Sequence, residues 1–309
     1  MKHVITGGAG FIGSNLAEEL MNQDEKVVVI DNLSTGSISN LKPFLDKIEF
    51  IEGSILDLEL LNKIIEKGDI IYHQAAIPSV IRSVKNPIKS SEVNIQGTLN
   101  VLLSARENNA DRVIFASSSS VYGDSKTLPK VETMLTNPKS PYALTKLTGE
   151  YYMKLFYELY GLKTFTLRYF NVFGPKQNPN TQYSAVIPKF IRIFQNREKP
   201  VIYGDGKQTR DFSYITNVVQ ANILCSKINE GYGEIFNVAC GQRYSLNELI
   251  EQLNKIFNKK IEPIYKEDRQ GDVKHSLADI SKIKKTLNYE VKTDFFEGLT
   301  QLVKLMEKL

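Results

Sequence analysis

The chain has 309 residues, 42% hydrophobic and 24% charged, a balance that belongs to one large or two intimate globular domains and excludes a disordered, collagen-like or membrane-bundle chain. With 39 Lys and Arg against 35 Asp and Glu the net charge is +4, too weak over such a surface to argue for nucleic acid and compatible with a local basic pocket for an anion. Met1-Lys2-His3 runs straight into an apolar stretch, so Lys2–Thr6 is predicted as a strand rather than a targeting segment. Helical periodicity covers Phe11–Met21. Strands are predicted at Lys26–Ile30, Ile48–Ile51, Ile70–His73 and Arg112–Ala116, separated by helical stretches such as Leu58–Glu66 and Val93–Asn108. Strands alternating with helices imply an α/β fold with a parallel, doubly wound sheet.

The second half begins with a long helix over Ser140–Tyr160 and a strand over Thr164–Tyr169. A loop rich in Pro, Asn and Gln follows at Gly174–Tyr183. The remaining elements are smaller and mixed: helices near Ala185–Gln195, Leu246–Phe257 and Phe295–Lys308, with strands near Val201–Tyr203 and Ile235–Val238. They suggest a first domain over 1–170 and a smaller mixed α/β domain over 171–309, with some segments of the second packing back on the first. No apolar run reaches the length of a membrane span. Two cysteines, Cys225 and Cys240, suit a reducing compartment, and the cytoplasm is the expected address. His3, His73 and His275 lack metal-ligand spacing, so no metal site is expected; His73 reads as structural, and both cysteines read as core.

Residues 6–13 read Thr-Gly-Gly-Ala-Gly-Phe-Ile-Gly between the first strand and the first helix. Gly8, Gly10 and Gly13 fit G-x-G-x-x-G, and Gly7, Gly10 and Gly13 fit G-x-x-G-x-x-G. Such a turn needs glycines to be tight, to let backbone approach a pyrophosphate and to pack helix on strand; the helix N-terminus then meets the phosphates. Asp31 ends the second strand, where a carboxylate accepts hydrogen bonds from an adenosine ribose and repels a 2′-phosphate. The pattern points to a Rossmann-type dinucleotide site and favours NAD over NADP.

Tyr142 and Lys146 form Y-x-x-x-K near the start of the long helix, on one face. An exposed Tyr–Lys pair would be the commoner meaning, but the glycine turn changes it. A tyrosine serving as a base near neutral pH needs its pKa lowered by about 3 units, ~4 kcal/mol. A cation about 4 Å away at intermediate dielectric supplies roughly that, and Lys146 and an oxidised nicotinamide can supply it together. Upstream, Ser117–Ser120 follow an apolar strand, at the carboxyl end where parallel sheets place ligands.

The segments TGGAGFIGS, DNLSTG, SSSSVYG, SPYALTK, LRYFNVFGP, GDGKQTRDFSYI and RQGDVKHSLADISK extend over essentially the whole chain. Together they resemble the extended short-chain dehydrogenases/reductases, and within them the UDP-sugar 4-epimerases, above all those acting on UDP-N-acetylglucosamine. The resemblance implies Tyr142 as catalytic base, Lys146 as its cationic partner and ribose ligand, and Ser118 as the hydroxyl helper. It implies NAD contacts at Gly7, Gly10, Phe11, Ile12, Gly13, Asp31, Asn32, Ser54, Ile55, Ala75, Ala76, Asn94 and Phe170, with Ser54 replacing the usual Asp beside the adenine. It implies nucleotide-sugar contacts at Asn171, Val186, Tyr203, Arg210, Arg269 and Asp272, the two arginines clamping the diphosphate. Without the resemblance, a surface ion pair of Arg210 with Asp211 would be the favoured meaning.

The implied reaction takes the C4 hydrogen as a hydride to NAD and returns it to the other face of a 4-keto sugar. Ser119 and Ser120 stand where 4,6-dehydratases carry an Asp-Glu pair and the decarboxylases a Glu. A UDP-glucuronate 4-epimerase remains as an alternative, as does a non-catalytic NAD-sensing scaffold. Ser276 stands where the family has a gatekeeper beside the sugar's C2 substituent. A Tyr there restricts relatives to glucose and galactose, and Ser leaves room for an N-acetyl group. On sequence alone Ser276 would instead cap a helix starting near Ala278. The resemblance also implies a homodimer built from Ser90–Asn108 and Ser140–Tyr160 of each subunit.

Overall fold

In the computed structural model, residues 1–177, 186–267 and 274–307 are described. Seven strands share one sheet: β1 (His3–Thr6), β2 (Val27–Asp31), β3 (Glu49–Glu52), β4 (Ile70–His73), β5 (Arg112–Ser118), β6 (Lys163–Tyr169) and β7 (Glu234–Val238). Their order is β7-β6-β5-β4-β1-β2-β3, and every neighbouring pair is parallel. The winding reverses between β1 and β4, and in such sheets the crevice outside the strands' carboxyl ends at the reversal takes the ligand.

Apart from the edge strand β3, the strands are buried on both faces, so their residues alternate between two cores. Ile5, Val27 and Val29 face one core; Val4, Val28 and Ile30 face the other. Helices α1 (Phe11–Asn22) and α5 (Ile215–Lys227) supply Leu16, Leu20, Val218 and Cys225 to the first. Helices α2 (Leu58–Ile64), α3 (Gly97–Glu107) and α4 (Pro141–Tyr160) supply Leu61, Val101 and Met153 to the second. The helix expected over 93–108 is reached through Pro87–Ser91 and one π turn, Glu92–Gln96. α4 starts where its sequence says it should: Ser140 Oγ accepts the Ala143 N–H, Pro141 fills the first turn, and Gly161 ends the helix at φ 69°.

One element sits elsewhere than expected. The strand read near Ile235–Val238 as part of the smaller domain is β7, paired with β6 over five residues. Phe236 and Val238 are fully buried and extend the first core past β6, which would otherwise be a bare edge. β7 and α5 are thus segments of the second half that pack on the first. Among its described residues the rest of that half comprises helices Val186–Gln195, Leu246–Phe257, Ser281–Leu287 and Phe295–Met306 and three two-stranded pairs. Its apolar side chains, among them Phe190, Leu249 and Leu299, join the first core without a break.

Candidate active site

The glycine turn leaves β1 and enters α1 with no room for a side chain at Gly7, Gly8 or Gly13. A Cβ on Gly7, whose φ is +70°, would lie 2.6 Å from Ala75 Cα; one on Gly13 would lie 2.4 Å from Gly7 O. α1 starts from an extended Gly10 with no side-chain cap, so the donors of its first turn stay available to an anion. Asp31 is only 8% exposed. Its Oδ2 accepts the Ala9 N–H at 3.0 Å and its Oδ1 the Leu33 N–H at 2.8 Å. Burial pushes its carboxyl above the usual range, and the two N–H bonds oppose that. Asp31 therefore also ties the turn to the end of β2.

A cavity of ≈ 450 Å³ opens over this turn. Gly7, Gly10, Phe11, Ile12, Gly13, Asp31, Asn32, Ser54, Ile55, Ala75 and Ala76 line it, and it runs on to Tyr142 and Lys146. A turn closed to a Cβ at Gly7 and Gly13, uncapped helix N–H groups and the acid Asp31 in the same cavity together fit a dinucleotide without a 2′-phosphate. Two expected cofactor contacts stand one layer back. Asn94 accepts the Ile77 N–H at 2.8 Å and donates to Thr145 Oγ1 at 3.1 Å, so it fastens the cavity wall to α4. Phe170 is fully buried against Tyr122.

Tyr142 sits in the first turn of α4, where its N–H donates to Ser83 Oγ at 3.0 Å. Burial pushes the phenol pKa up, and the neighbouring Ser118 hydroxyl opposes this. Lys146, one turn on, is 4% exposed. Its Nζ donates to Ala116 O at 2.7 Å and lies 4.9 Å from the Phe115 ring centre. Burial brings Lys146 down to about 7, against the pull of Glu150. His73 is buried between Thr6 Oγ1 and Thr98 Oγ1, 2.8 and 2.9 Å away, and burial holds it neutral. Sequence reasoning missed Ser83, Arg82 and Gln177, the last two also lining the cavity; none carries a local motif.

A second cavity, ≈ 340 Å³, brings together Asn171, Val186, Tyr203 and Arg210 with Phe190 and Phe212. Arg210 donates to Thr209 O at 3.0 Å and Lys274 O at 3.2 Å. The carboxylate of Asp211 goes instead to the N–H groups of Cys240, Gly241 and Ala278. Ser276 N–H donates to Thr209 O at 3.0 Å, beside this cavity wall. The helix after it begins only at Ser281, N-capped at Ile280, so Ser276 is not its cap. Arg269 and Asp272 lie outside the described residues. Among the described residues no His, Cys, Asp or Glu cluster could hold a metal, and no helix is long and apolar enough to cross a membrane.

The NAD dependent epimerase/dehydratase family model matches residues 3–239. The chain belongs to this family. Among its members, the UDP-glucose 4-epimerase of Mycolicibacterium smegmatis is 34% identical over 307 residues, covering 98% of this chain and 97% of its own. A UDP-N-acetylglucosamine 4-epimerase from Methanobrevibacter ruminantium, solved with UDP-N-acetylmuramic acid, is 42% identical with a TM-score of 0.94, covering 100% of this chain and 99% of its own. The UDP-glucose 4-epimerase of Thermotoga maritima, solved with UDP-glucose, is 36% identical with a TM-score of 0.93 and the same coverage. Family membership and the cradle agree on NAD as the cofactor.

Proposed function

We propose that this enzyme interconverts UDP-N-acetylglucosamine and UDP-N-acetylgalactosamine at C4, and also UDP-glucose and UDP-galactose. It is an NAD-dependent UDP-sugar 4-epimerase. The observation that carries the reading is that Tyr142 and Lys146 both line the dinucleotide cavity, with Ser118 beside the phenol. Held by the glycine turn and Asp31, NAD would supply reversible hydride chemistry at C4. Tyr142 takes the proton of the C4 hydroxyl and gives it back; Ser118 orients that hydroxyl. In the protein alone burial makes the phenol a poor base, so positive charge at the site must lower its pKa, and Lys146 is the chain's contribution. The glycine turn and Asp31 hold the cofactor. Asn171, Val186, Tyr203 and Arg210, with Arg269 and Asp272, hold the nucleotide, and the small Ser276 leaves room for the N-acetyl group.

A homodimer is part of the reading. Leu144, Tyr151, Leu155 and Leu159 form an exposed apolar stripe along α4, and Val84 and Ile88 extend the exposed apolar surface. Light scattering at micromolar concentration tests it, a monomer refuting it. For the reaction, the enzyme is incubated with UDP-glucose, UDP-galactose, UDP-N-acetylglucosamine, UDP-N-acetylgalactosamine and UDP-glucuronate, and the isomers are separated. The N-acetylated pair should interconvert; turnover of UDP-glucuronate alone refutes the proposal.

A further inference from the structure

Beneath the Tyr142–Lys146 pair lies a buried charge pair. Glu150, one helical turn beyond Lys146 on α4, is 2% exposed, as is Arg168 on β6. Arg168 grips the carboxylate with two bonds, Nε to Oε1 at 2.9 Å and Nη2 to Oε2 at 2.6 Å. Ser117 Oγ donates to the same Oε1. Stability alone is a poor reason for such a pair, because well-packed apolar side chains of similar volume commonly do as well. Its location is more telling. Around Lys146, β4 offers His73, which burial keeps neutral, and β5 offers the Phe115 ring and the Ala116 carbonyl. β6 offers Arg168, and α4 itself offers Tyr142 and Glu150; Asp31 and Arg82 line other parts of the cavity. Glu150 stands four residues beyond Lys146 on the same face of α4, and its charge raises Lys146 against burial.

We propose that Glu150 is a positioning residue of the epimerase. Its carboxylate supplies the negative charge that keeps Lys146 an ammonium inside the buried site, and its bond from Ser117 fixes the end of β5 that carries Ser118. Arg168 holds the carboxylate in place by gripping both oxygens, and the Arg168 guanidinium is itself fixed 4.7 Å over the Tyr122 ring. The inference rests on Lys146 being the partner of Tyr142. Protonated Lys146 favours the phenolate, so activity should fall at high pH where Lys146 loses its proton. Removing the Glu150 charge should bring that fall to lower pH.

The test is the pH dependence of kcat in the NAD-loaded enzyme and in Glu150→Gln, Glu150→Gln with Arg168→Gln, and Lys146→Met. Glu150→Gln should move the high-pH limb down by about one pH unit. The double variant leaves no buried ion unpaired, so it keeps the test alive if the single variant does not fold; its limb should also lie below that of the wild type. Lower kcat with an unmoved limb in the folded Glu150 variants, while Lys146→Met loses the limb, overturns the inference and leaves Glu150 merely structural. A Lys146→Met profile identical to the wild type shows instead that the assignment of Lys146 has failed.

Discussion

Gly13→Ala tests whether the turn is a cofactor cradle or only a tight corner. The added Cβ would lie 2.4 Å from Gly7 O and 2.7 Å from Gly8 Cα, both backbone atoms. Comfortable contact needs about 3.5 Å, so α1 must retreat by roughly 1 Å. Overpacking of that kind costs about 1–3 kcal/mol of stability. The retreat also pulls the first N–H groups of α1 from the phosphates. Each such charged hydrogen bond is worth about 1.5–3 kcal/mol, so losing one or two weakens NAD binding about a hundredfold. Gly161→Ala is the control. Gly161 has φ +69° and nothing within 4 Å of a new Cβ, so only the left-handed backbone is penalised, by about 1 kcal/mol. Urea unfolding of the NAD-free proteins and equilibrium dialysis with NAD separate the two effects. If Gly13→Ala binds NAD within threefold of the wild type, the cradle argument is wrong.

Tyr142→Phe should cut turnover by about 10²–10⁴-fold and leave NAD bound; a mutant keeping more than about a tenth of the wild-type rate counts against the base. Asp31→Gly with Asn32→Arg should admit NADP, at a cost in stability because Asp31 also holds the Ala9 and Leu33 N–H groups; a wild-type protein that copurifies with NADP refutes this reading of Asp31. Ser276→Tyr should suppress the acetylated UDP-sugars and spare UDP-galactose, with kcat/KM for both pairs deciding and undiminished acetylated turnover refuting. His73 is held down at about 3 from 6.5, so the stability it confers is complete above 6.5 and drains away as pH falls towards 3, by about 1.4 kcal/mol per pH unit. Urea unfolding at pH 7 and pH 5 should show a shallower pH dependence for His73→Gln, and equal slopes would contradict the neutral assignment.

Local pattern carried much of this molecule. β1, β2 and β4 are short apolar runs bounded by breakers, and α4 announces itself with a Ser-Pro start and a terminal glycine. The glycine turn and Asp31 were readable because their spacing is fixed by one βαβ unit. Long-range choices were not readable. β7 pairs with β6 some seventy residues away, a choice made by a crossover and by burial of Phe236, neither visible in the strand itself. Ser276 looked like a cap because its neighbours resemble a helix start, yet the backbone pairs with Thr209 first. Arg168 meets Glu150 only once β6 lies beside β5 and α4 crosses them. Asp211 beside Arg210 suggested an ion pair, but three backbone N–H groups claimed the acid.

The late arrival of β7 has a consequence for biosynthesis. A ribosome makes residues 1–170 before the rest of the second half, and among the described residues they contain every part of the dinucleotide cavity except Gln177. Yet β6 then has an open edge, with Phe165 lacking the Phe236 ring that packs near it. About seventy more residues must emerge before Glu234–Val238 can close that edge. During this interval the nascent sheet offers an unpaired apolar strand to any other chain nearby. Slow translation between 170 and 238 prolongs that exposure, and a chaperone's hold on the β6 edge would shield it.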